Sequence, residues 1–324
     1  MMAPAVPCKS FRILCPEPQN YSMSGIEAAS RIAQLDALRL SQVEFAGRAP
    51  SYDAFMVRLQ TRITGDVIAS CPSLKAIITP TTGLDHIDLG AAEDRGIKVF
   101  CLRGEAEFLK TITSTAEHTW ALLLCLVRRV VPAHQSVCGN QWQQHQFRSF
   151  ELAGKTLGII GLGRVGTMVA RYGLGFGMRV VFYDPFQTVY PSGAKRVMNL
   201  DALLTESNVI TVHVPLNAVT TGLIGRRELE LLPPGAYLVN TSRGQIVDED
   251  ALLAALEHGK VRGAAVDVLT DEQSVPNGDQ PMVRYARCHD NLIITPHIGG
   301  AAEDAIERTD MFVMRRFEQW LAAR

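Results

Sequence analysis

A run of apolar residues, Leu157 to Ile160, leads straight into Gly161-Leu162-Gly163-Arg164-Val165-Gly166, and an apparent helix begins inside that hexapeptide. No other stretch of the chain restricts the fold as tightly. Each glycine answers a separate steric demand: Gly161 permits a tight strand-to-helix turn, Gly163 lets a ligand approach the backbone, and Gly166 lets the helix press against its strand. The amino end of the helix offers free N–H groups and the positive pole of the helix dipole, which together favour phosphate. The next apolar strand, Arg179 to Tyr183, ends at Asp184, 23 positions after the first glycine. A carboxylate there accepts hydrogen bonds from an adenosine ribose and repels a 2'-phosphate. Strand, glycines, helix, strand and terminal acid therefore predict a dinucleotide site, for NAD in preference to NADP. Lys195-Arg196 open the following strand in this reading, and the bland alternative for Asp184 is a turn cap beside Pro185.

With 324 residues, 47% of them hydrophobic, the chain has enough apolar surface for two domains. A net charge near −1 gives no electrostatic case for nucleic acid or membrane as a partner. The longest apolar run at a helix, Trp120 to Val127, stops at Arg128-Arg129 and is too short to span a bilayer, so it reads as a buried helix. Met1 to Phe11 is short and Pro-interrupted, without the basic and apolar regions of a cleavable signal. Seven cysteines without a C-x-x-C pair fit reduced thiols in a cytoplasm, and no metal is called for.

Along the chain, strand and helix candidates alternate. Phe11 to Cys15, a helix from about Gly25 to Leu38, Ala76 to Ile78 and Val99 to Leu102 make one small α/β unit. An amphipathic stretch from Thr115 to Val130 follows, then a polar arm, Gly139 to Phe150, in which Trp142 is expected to be an anchor, with a dimer contact as one way of serving, rather than a substrate group. Strands at Gly158 to Gly161, Arg179 to Tyr183, Val209 to His213, Ala236 to Asn240, Gly263 to Val268 and Leu292 to Thr295 continue a second unit. Six strands with intervening helices predict a doubly wound parallel sheet, a Rossmann NAD domain. A final helix, about Ala302 to Ala323, places Ala305, Thr309, Phe312, Arg316 and Trp320 near one face and returns to the amino-terminal unit. The expected organisation is a Rossmann domain at 115–299 inserted in a smaller, flavodoxin-like α/β substrate domain formed by 1–114 and 300–324, with substrate in the cleft between them.

Ligands of such sheets sit beyond the carboxyl ends of the strands, so the residues just after each strand become chemical candidates. Three stand out: Arg243, Glu272 and His297. Their types suit reduction of a 2-keto acid, in which C2 gains a hydride and its oxygen a proton. Arginine can grip the carboxylate and polarise the carbonyl through its planar donors. Histidine supplies the proton, and removes it in the reverse direction. A glutamate on the second ring nitrogen favours the protonated ring. Of the eight histidines, His213 is the rival acid because it also ends a strand, but it lies on the adenosine half of the sheet. His86, His118, His134, His145, His258 and His289 are read as surface or satisfied core residues.

At these residues the chain resembles the D-isomer-specific 2-hydroxyacid dehydrogenase family, which includes D-lactate, D-glycerate and 3-phosphoglycerate dehydrogenases. The likeness runs from about Cys71 to the carboxyl end. It is most specific in Leu238-Val239-Asn240-Thr241-Ser242-Arg243-Gly244-Gln245-Ile246-Val247-Asp248-Glu249 and Thr295-Pro296-His297-Ile298-Gly299-Gly300. The resemblance implies that Arg243, Glu272 and His297 are catalytic. It also implies that Asp267, within Ala264-Ala265-Val266-Asp267-Val268, contacts the nicotinamide amide, and that His213-Val214-Pro215-Leu216 line the adenine side. Thr241, Ser242 and His297 complete the implied coenzyme contacts, with Gly161, Gly163, Arg164, Val165 and Asp184. Thr82-Gly83-Leu84-Asp85 is similar to the loop that binds a substrate carboxylate through backbone amides, so Thr82 and Gly83 join Arg243 as substrate residues. Family members are commonly dimers through the arm region, and a homodimer is implied here.

Two departures stand beside these matches. Phe100 to Leu109 replaces a shorter Asn-x-Pro-Gly loop, and Glu272 lies in Thr270-Asp271-Glu272 without the commoner Glu-x-Glu-Pro. Asp271 is therefore a second candidate for the acid, although spacing from Asp267 favours Glu272. The functional expectation is an NAD-dependent enzyme interconverting a D-2-hydroxy acid and its 2-keto acid. The alternative is an NAD-sensing binding protein on the same fold, like the family's transcriptional corepressors.

Overall fold

The computed structural model describes residues 11–278 and 280–324. The chain divides into two units, one ending at Thr111 and resuming at Ala301–Arg324, the other being Ile112–Gly300.

In the first unit five short parallel strands, β1 (Arg12–Cys15), β2 (Gln34–Ala37), β3 (Ala54–Met56), β4 (Ala76–Ile78) and β5 (Lys98–Phe100), lie in the order β2-β1-β3-β4-β5. That is the flavodoxin-like order of doubly wound sheets. Two apolar layers cover the sheet faces, one around Phe45, Phe55 and Ile77, the other around Ile13, Met56 and Phe317. The helix Glu303–Ala322 supplies Phe317, whose ring lies 5.8 Å from that of Phe11 and 5.5 Å from that of Phe100. Each large side chain so enclosed contributes about 1.5–3 kcal/mol relative to exposure. Its buried stripe runs through Ala305, Thr309, Asp310, Val313, Met314 and Phe317. The stripe is thus rotated from the expected one, for Phe312 and Trp320 are only partly buried and Arg316 pairs with Glu105 at the surface. Asp310 completes the docking by accepting from the Ser22 backbone N–H at 2.7 Å, the Ser22 hydroxyl at 2.9 Å and Arg58 at 2.5 Å.

The helix expected from about Gly25 to Leu38 is corrected to Met23–Ile32, capped by Ser22, and the remainder of that stretch is β2. β3 was not foreseen either. β2 is a polar edge strand in which Asp36 accepts from Arg12 and the Tyr52 hydroxyl, so no alternation of apolar residues announces it.

In the second unit seven parallel strands, β6 (Thr156–Ile160), β7 (Arg179–Tyr183), β8 (Ala194–Arg196), β9 (Val209–Val212), β10 (Ala236–Asn240), β11 (Val261–Val266) and β12 (Leu292–Ile294), lie in the order β12-β11-β10-β9-β6-β7-β8. The order reverses beside β6, the topological switch point of a Rossmann sheet. β6, β9 and β10 are buried along their whole length, as strands covered on both faces must be. One covering layer brings Leu123, Leu126 and Val169 onto Leu157 and Val239; the other brings Leu204, Leu229 and Leu252 onto Ile210 and Leu238. The amphipathic stretch from Thr115 is the helix Ser114–Val127 followed, after Arg129 in a left-handed conformation, by the helix Val130–Cys138, none of whose residues is buried. Trp142 does not anchor the polar arm against its own chain, since 86% of it is exposed. No single helix among the described residues is long and apolar enough to cross a membrane.

Candidate active site

Strand register sets the site. Ile160 pairs with Tyr183 and Val212, Val212 with Asn240, Asn240 with Val266, and Val266 with Ile294. Six strands therefore end in one row, and the residues that follow are Gly161, Asp184, His213, Thr241, Asp267 and Thr295. All six are polar or lack a side chain, although the strands before them are apolar. A buried parallel sheet has to place its ligand groups past its ends, where backbone groups leave the ladder.

At the switch point the three glycines meet three different surroundings. Gly161 has φ +89°, and a Cβ on it would stand 2.7 Å from Val214 Cγ1 and 3.0 Å from the His213 carbonyl. On Gly166 a Cβ would lie 2.1 Å from the Gly161 carbonyl oxygen. On Gly163 it would meet nothing within 4 Å, because this residue precedes the helix Arg164–Gly175 and faces open space at its amino end. Its N-cap, Gly163, brings no side chain to that end, where the helix amino terminus favours an anion. Arg164 donates to the Ile112 carbonyl at 2.5 Å, and its guanidinium is pushed below its usual range by burial. Val165, partly buried, packs against the core, and Thr220 fastens the Val214-Pro215 segment by donating to the Pro215 carbonyl at 2.6 Å.

Asp184 shapes this loop as well as terminating β7. Oδ2 accepts the Leu162 N–H at 2.9 Å, while Oδ1 accepts those of Phe186 and Gln187 at 2.9 and 3.1 Å. The turn-capping role and the place beside the glycine loop thus coexist. Oδ2 keeps acceptor capacity for a ribose hydroxyl. Open backbone at Gly163, a helix amino end with glycine as its N-cap and a half-buried carboxylate fit a dinucleotide.

Arg243, Glu272 and His297 leave the same edge of the sheet. Asn240 holds the Arg243 loop, accepting from the Ser242 N–H and hydroxyl and donating to the Arg243 carbonyl at 2.9 Å. Thr241 is buried, its hydroxyl 2.8 Å from that of Thr119. Gly244 lets this loop touch the next: a Cβ there would fall 2.0 Å from the Leu269 carbonyl carbon and 2.2 Å from the Thr270 nitrogen. Gln245 adds a bond to the Thr270 carbonyl at 3.0 Å. Glu272 lies just beyond, with Oε1 accepting from the Leu269 N–H at 3.3 Å and Oε2 2.9 Å from His297 Nδ1. Glu272, not Asp271, is the residue on the imidazole. His297 has φ +56°, a left-handed conformation rare outside glycine, and its N–H is bonded to the Asp267 carbonyl at 2.9 Å.

Asp267 is 2% exposed. Burial would raise its pKa, but hydrogen bonds from His118, Thr295 and the Ile298 and Gly299 amides outweigh that and hold it below the usual carboxylate range. His213 is the opposite case, since burial pushes its pKa down to about 3 and Nε2 is buried with no partner among the described residues. A ring that stays neutral near neutrality is a poor proton donor. Thr82 and Gly83 stand in the other unit, on the loop after β4, where the Thr81 hydroxyl donates to the Gly83 carbonyl at 2.8 Å. His118, read from sequence as a surface or satisfied core residue, is a part-buried histidine whose partners, Asp267 and Thr295, are 149 and 177 positions away (267 minus 118, 295 minus 118), and no local signal marks those contacts.

Residues 120–299 match the NAD-binding domain of the D-isomer-specific 2-hydroxyacid dehydrogenases. The chain is 41% identical over 277 residues to a D-3-phosphoglycerate dehydrogenase of Archaeoglobus fulgidus, an alignment covering 85% of this chain and 50% of the relative. It thus spans about half the length of the curated relatives it matches. Among solved structures, the TT0316 protein of Thermus thermophilus is 32% identical with a TM-score of 0.84, covering 97% of this chain and 98% of that one. A D-lactate dehydrogenase of Aquifex aeolicus, solved with NAD and lactic acid, is 31% identical with a TM-score of 0.83, covering 96% of each chain. NAD is the cofactor that this domain and the glycine loop are built for. With its matched domain, its sheet order and its near full-length structural relatives, the chain belongs to the D-isomer-specific 2-hydroxyacid dehydrogenase family.

Proposed function

We propose that this protein is an NAD-dependent oxidoreductase that interconverts a D-2-hydroxy acid and its 2-keto acid, with His297 as acid and base and Arg243 as binder of the carboxylate and carbonyl. The observation that carries the reading is the 2.9 Å contact between His297 Nδ1 and Glu272 Oε2, at the sheet edge that also holds Gly161 and Asp184. A carboxylate only accepts, so Nδ1 carries hydrogen and Nε2 is the atom that trades a proton with substrate. In reduction Nε2 protonates the carbonyl oxygen; in oxidation it takes the proton of the hydroxyl. Glu272 fixes the ring and offsets its positive charge. The planar fork of Arg243 orients the keto acid and draws electron density from C2 towards oxygen. The glycine loop would hold NAD, which when bound would supply or accept the hydride.

Gly161, Gly163, Arg164, Val165, Asp184, His213, Val214, Pro215, Thr241, Ser242, Asp267 and His297 form the coenzyme's surroundings in this proposal. Thr82 and Gly83 offer backbone donors to the substrate carboxylate. Two relatives support the class, since 3-phosphoglycerate and lactate, the acids in their names, are both 2-hydroxy acids. A homodimer belongs to the proposal as well: Val130, Val131 and Val137 on the unburied helix, and Trp142 beyond it, present apolar surface for a second copy. Exposed thiols at Cys138 and Cys288 suit the reducing conditions of a cytoplasm.

The test is loss of NADH absorbance with a panel of 2-keto acids that includes phosphorylated and unphosphorylated members. Turnover on at least one supports the enzyme. Coenzyme binding with turnover on none would favour the NAD-sensing alternative.

A further inference from the structure

We infer that His118 is a positioning residue for His297, acting through Asp267 and the loop from Thr295 to Gly299; the inference rests on the dehydrogenase reading above. The helix Ser114–Val127 carries His118 to the sheet edge, with Nε2 3.0 Å from Thr295 Oγ1 and 3.2 Å from Asp267 Oδ1. Thr295 gives its hydroxyl hydrogen to Asp267 Oδ1 at 2.6 Å. Its oxygen is then left to accept, which makes His118 Nε2–H the donor to both and fixes the ring's tautomer.

Asp267 also takes the Ile298 N–H on Oδ1 at 2.8 Å and the Gly299 N–H on Oδ2 at 2.7 Å. One carboxylate therefore grips the chain on both sides of His297, at 295 before it and at 298 and 299 after it. Between those anchors His297 holds its left-handed φ of +56°, a conformation that costs a non-glycine residue about 1–3 kcal/mol and persists only where surroundings overdetermine it. There is little slack in this arrangement. A Cβ on Gly299 would stand 3.0 Å from Asp267 Oδ2 and 3.7 Å from His118 Cδ2. Removing the imidazole takes one donor from the half-buried Thr295 Oγ1 and one from the buried Asp267 Oδ1, and the loop that aims His297 at Glu272 loses its brace from the helix.

A satisfied core histidine would contribute to stability alone, and the experiment separates the two roles. His118→Ala, His118→Gln and His118→Asn are made in the full chain and compared by steady-state kinetics, NADH fluorescence titration and crystallography. Glutamine keeps a donor near the position of Nε2; asparagine is too short to reach it. We expect His118→Ala and His118→Asn to lower kcat about 10–100-fold, with NADH affinity within about threefold of wild type, and His118→Gln to recover most of kcat. A kcat near wild type in His118→Asn, or equal losses in the folded Gln and Asn variants, overturns the inference, and this pair decides if His118→Ala does not fold. If the wild-type protein turns over no keto acid, the dehydrogenase reading itself has failed. The crystal structures then decide whether His118 positions His297: departure of His297 from its left-handed φ, with loss of the Glu272 contact, upholds it, and an unchanged loop overturns it.

Discussion

Nδ1 of His297 lies 2.9 Å from Oε2 of Glu272, across 25 residues of chain. The strands carrying them are neighbours, β11 and β12, and both loops turn over the same sheet edge. Replacing the imidazole by His297→Ala is expected to lower kcat by about 10²–10⁴-fold, the usual contribution of a placed acid or base. Affinity for NADH, measured by fluorescence titration, should change far less. Glu272→Gln keeps an acceptor on Nδ1 but removes the charge, and a smaller loss of about tenfold or more is expected. Parallel losses of binding and turnover in His297→Ala would remove it from the chemistry.

Arg243 tests the need for a planar fork. Arg243→Lys retains charge but replaces several coplanar donors with a point source, so kcat/KM for the keto acid should fall by about 100-fold or more. Coenzyme affinity should hold. Near-normal kinetics in this variant would reject the assigned role.

Asp184 supports the glycine loop through Leu162, and in the proposed coenzyme site its carboxylate would repel a 2'-phosphate. In Asp184→Ala the NADH dissociation constant is expected to rise roughly tenfold, equivalent to about 1.4 kcal/mol, and the preference over NADPH to narrow. Paired titrations with the two coenzymes read both effects, and an unchanged ratio would assign Asp184 to the turn alone.

Gly244 permits the contact between the Arg243 and Glu272 loops. The methyl group of Gly244→Ala would collide with backbone at Leu269 and Thr270, which cannot rotate aside. Overpacking of this kind costs about 1–3 kcal/mol, so a fall of several degrees in Tm by scanning fluorimetry is expected together with lost turnover. Full activity at the wild-type Tm would show that the loops separate at no cost.

His213 predicts a limb of the stability curve. Its pKa is lowered from 6.5 to about 3 by burial, so between those values the unfolded chain binds a proton that the folded chain refuses. Its contribution is complete above about pH 6.5 and is lost progressively as pH falls towards 3. Urea unfolding along that range should show the slope in wild type and a flatter one in His213→Gln. Ring resonances of His213 that titrate near pH 6.5 in the native protein would contradict the burial argument.

The row of residues at the sheet edge was legible because each follows an apolar run: Gly161 after Leu157 to Ile160, Asp184 after Arg179 to Tyr183, and Asp267 after the run beginning at Gly263. A fully buried parallel strand announces itself by composition, and its end by the first polar residue. The first unit was less legible. Ala54-Phe55-Met56 is too short to show a period, and Gln34-Leu35-Asp36-Ala37 is an edge strand whose polarity extended the apparent helix before it. In the last helix, Val313 and Phe317 are buried where Phe312 and Arg316 were expected, a rotation of about one residue that the docking of Asp310 on Ser22 and Arg58 sets from outside the helix. His118 was illegible for the same reason: what gives it meaning is Asp267 and Thr295, brought near by tertiary folding.

The left-handed backbone at His297 has an evolutionary corollary. Asparagine and glycine occupy such φ values more cheaply than histidine, by about 1 kcal/mol or more for glycine. A lineage released from selection for turnover would therefore gain stability by exchanging the imidazole for either. Histidine on this unfavourable backbone is what the proposed acid-base role would demand, and its exchange would trade that role for stability.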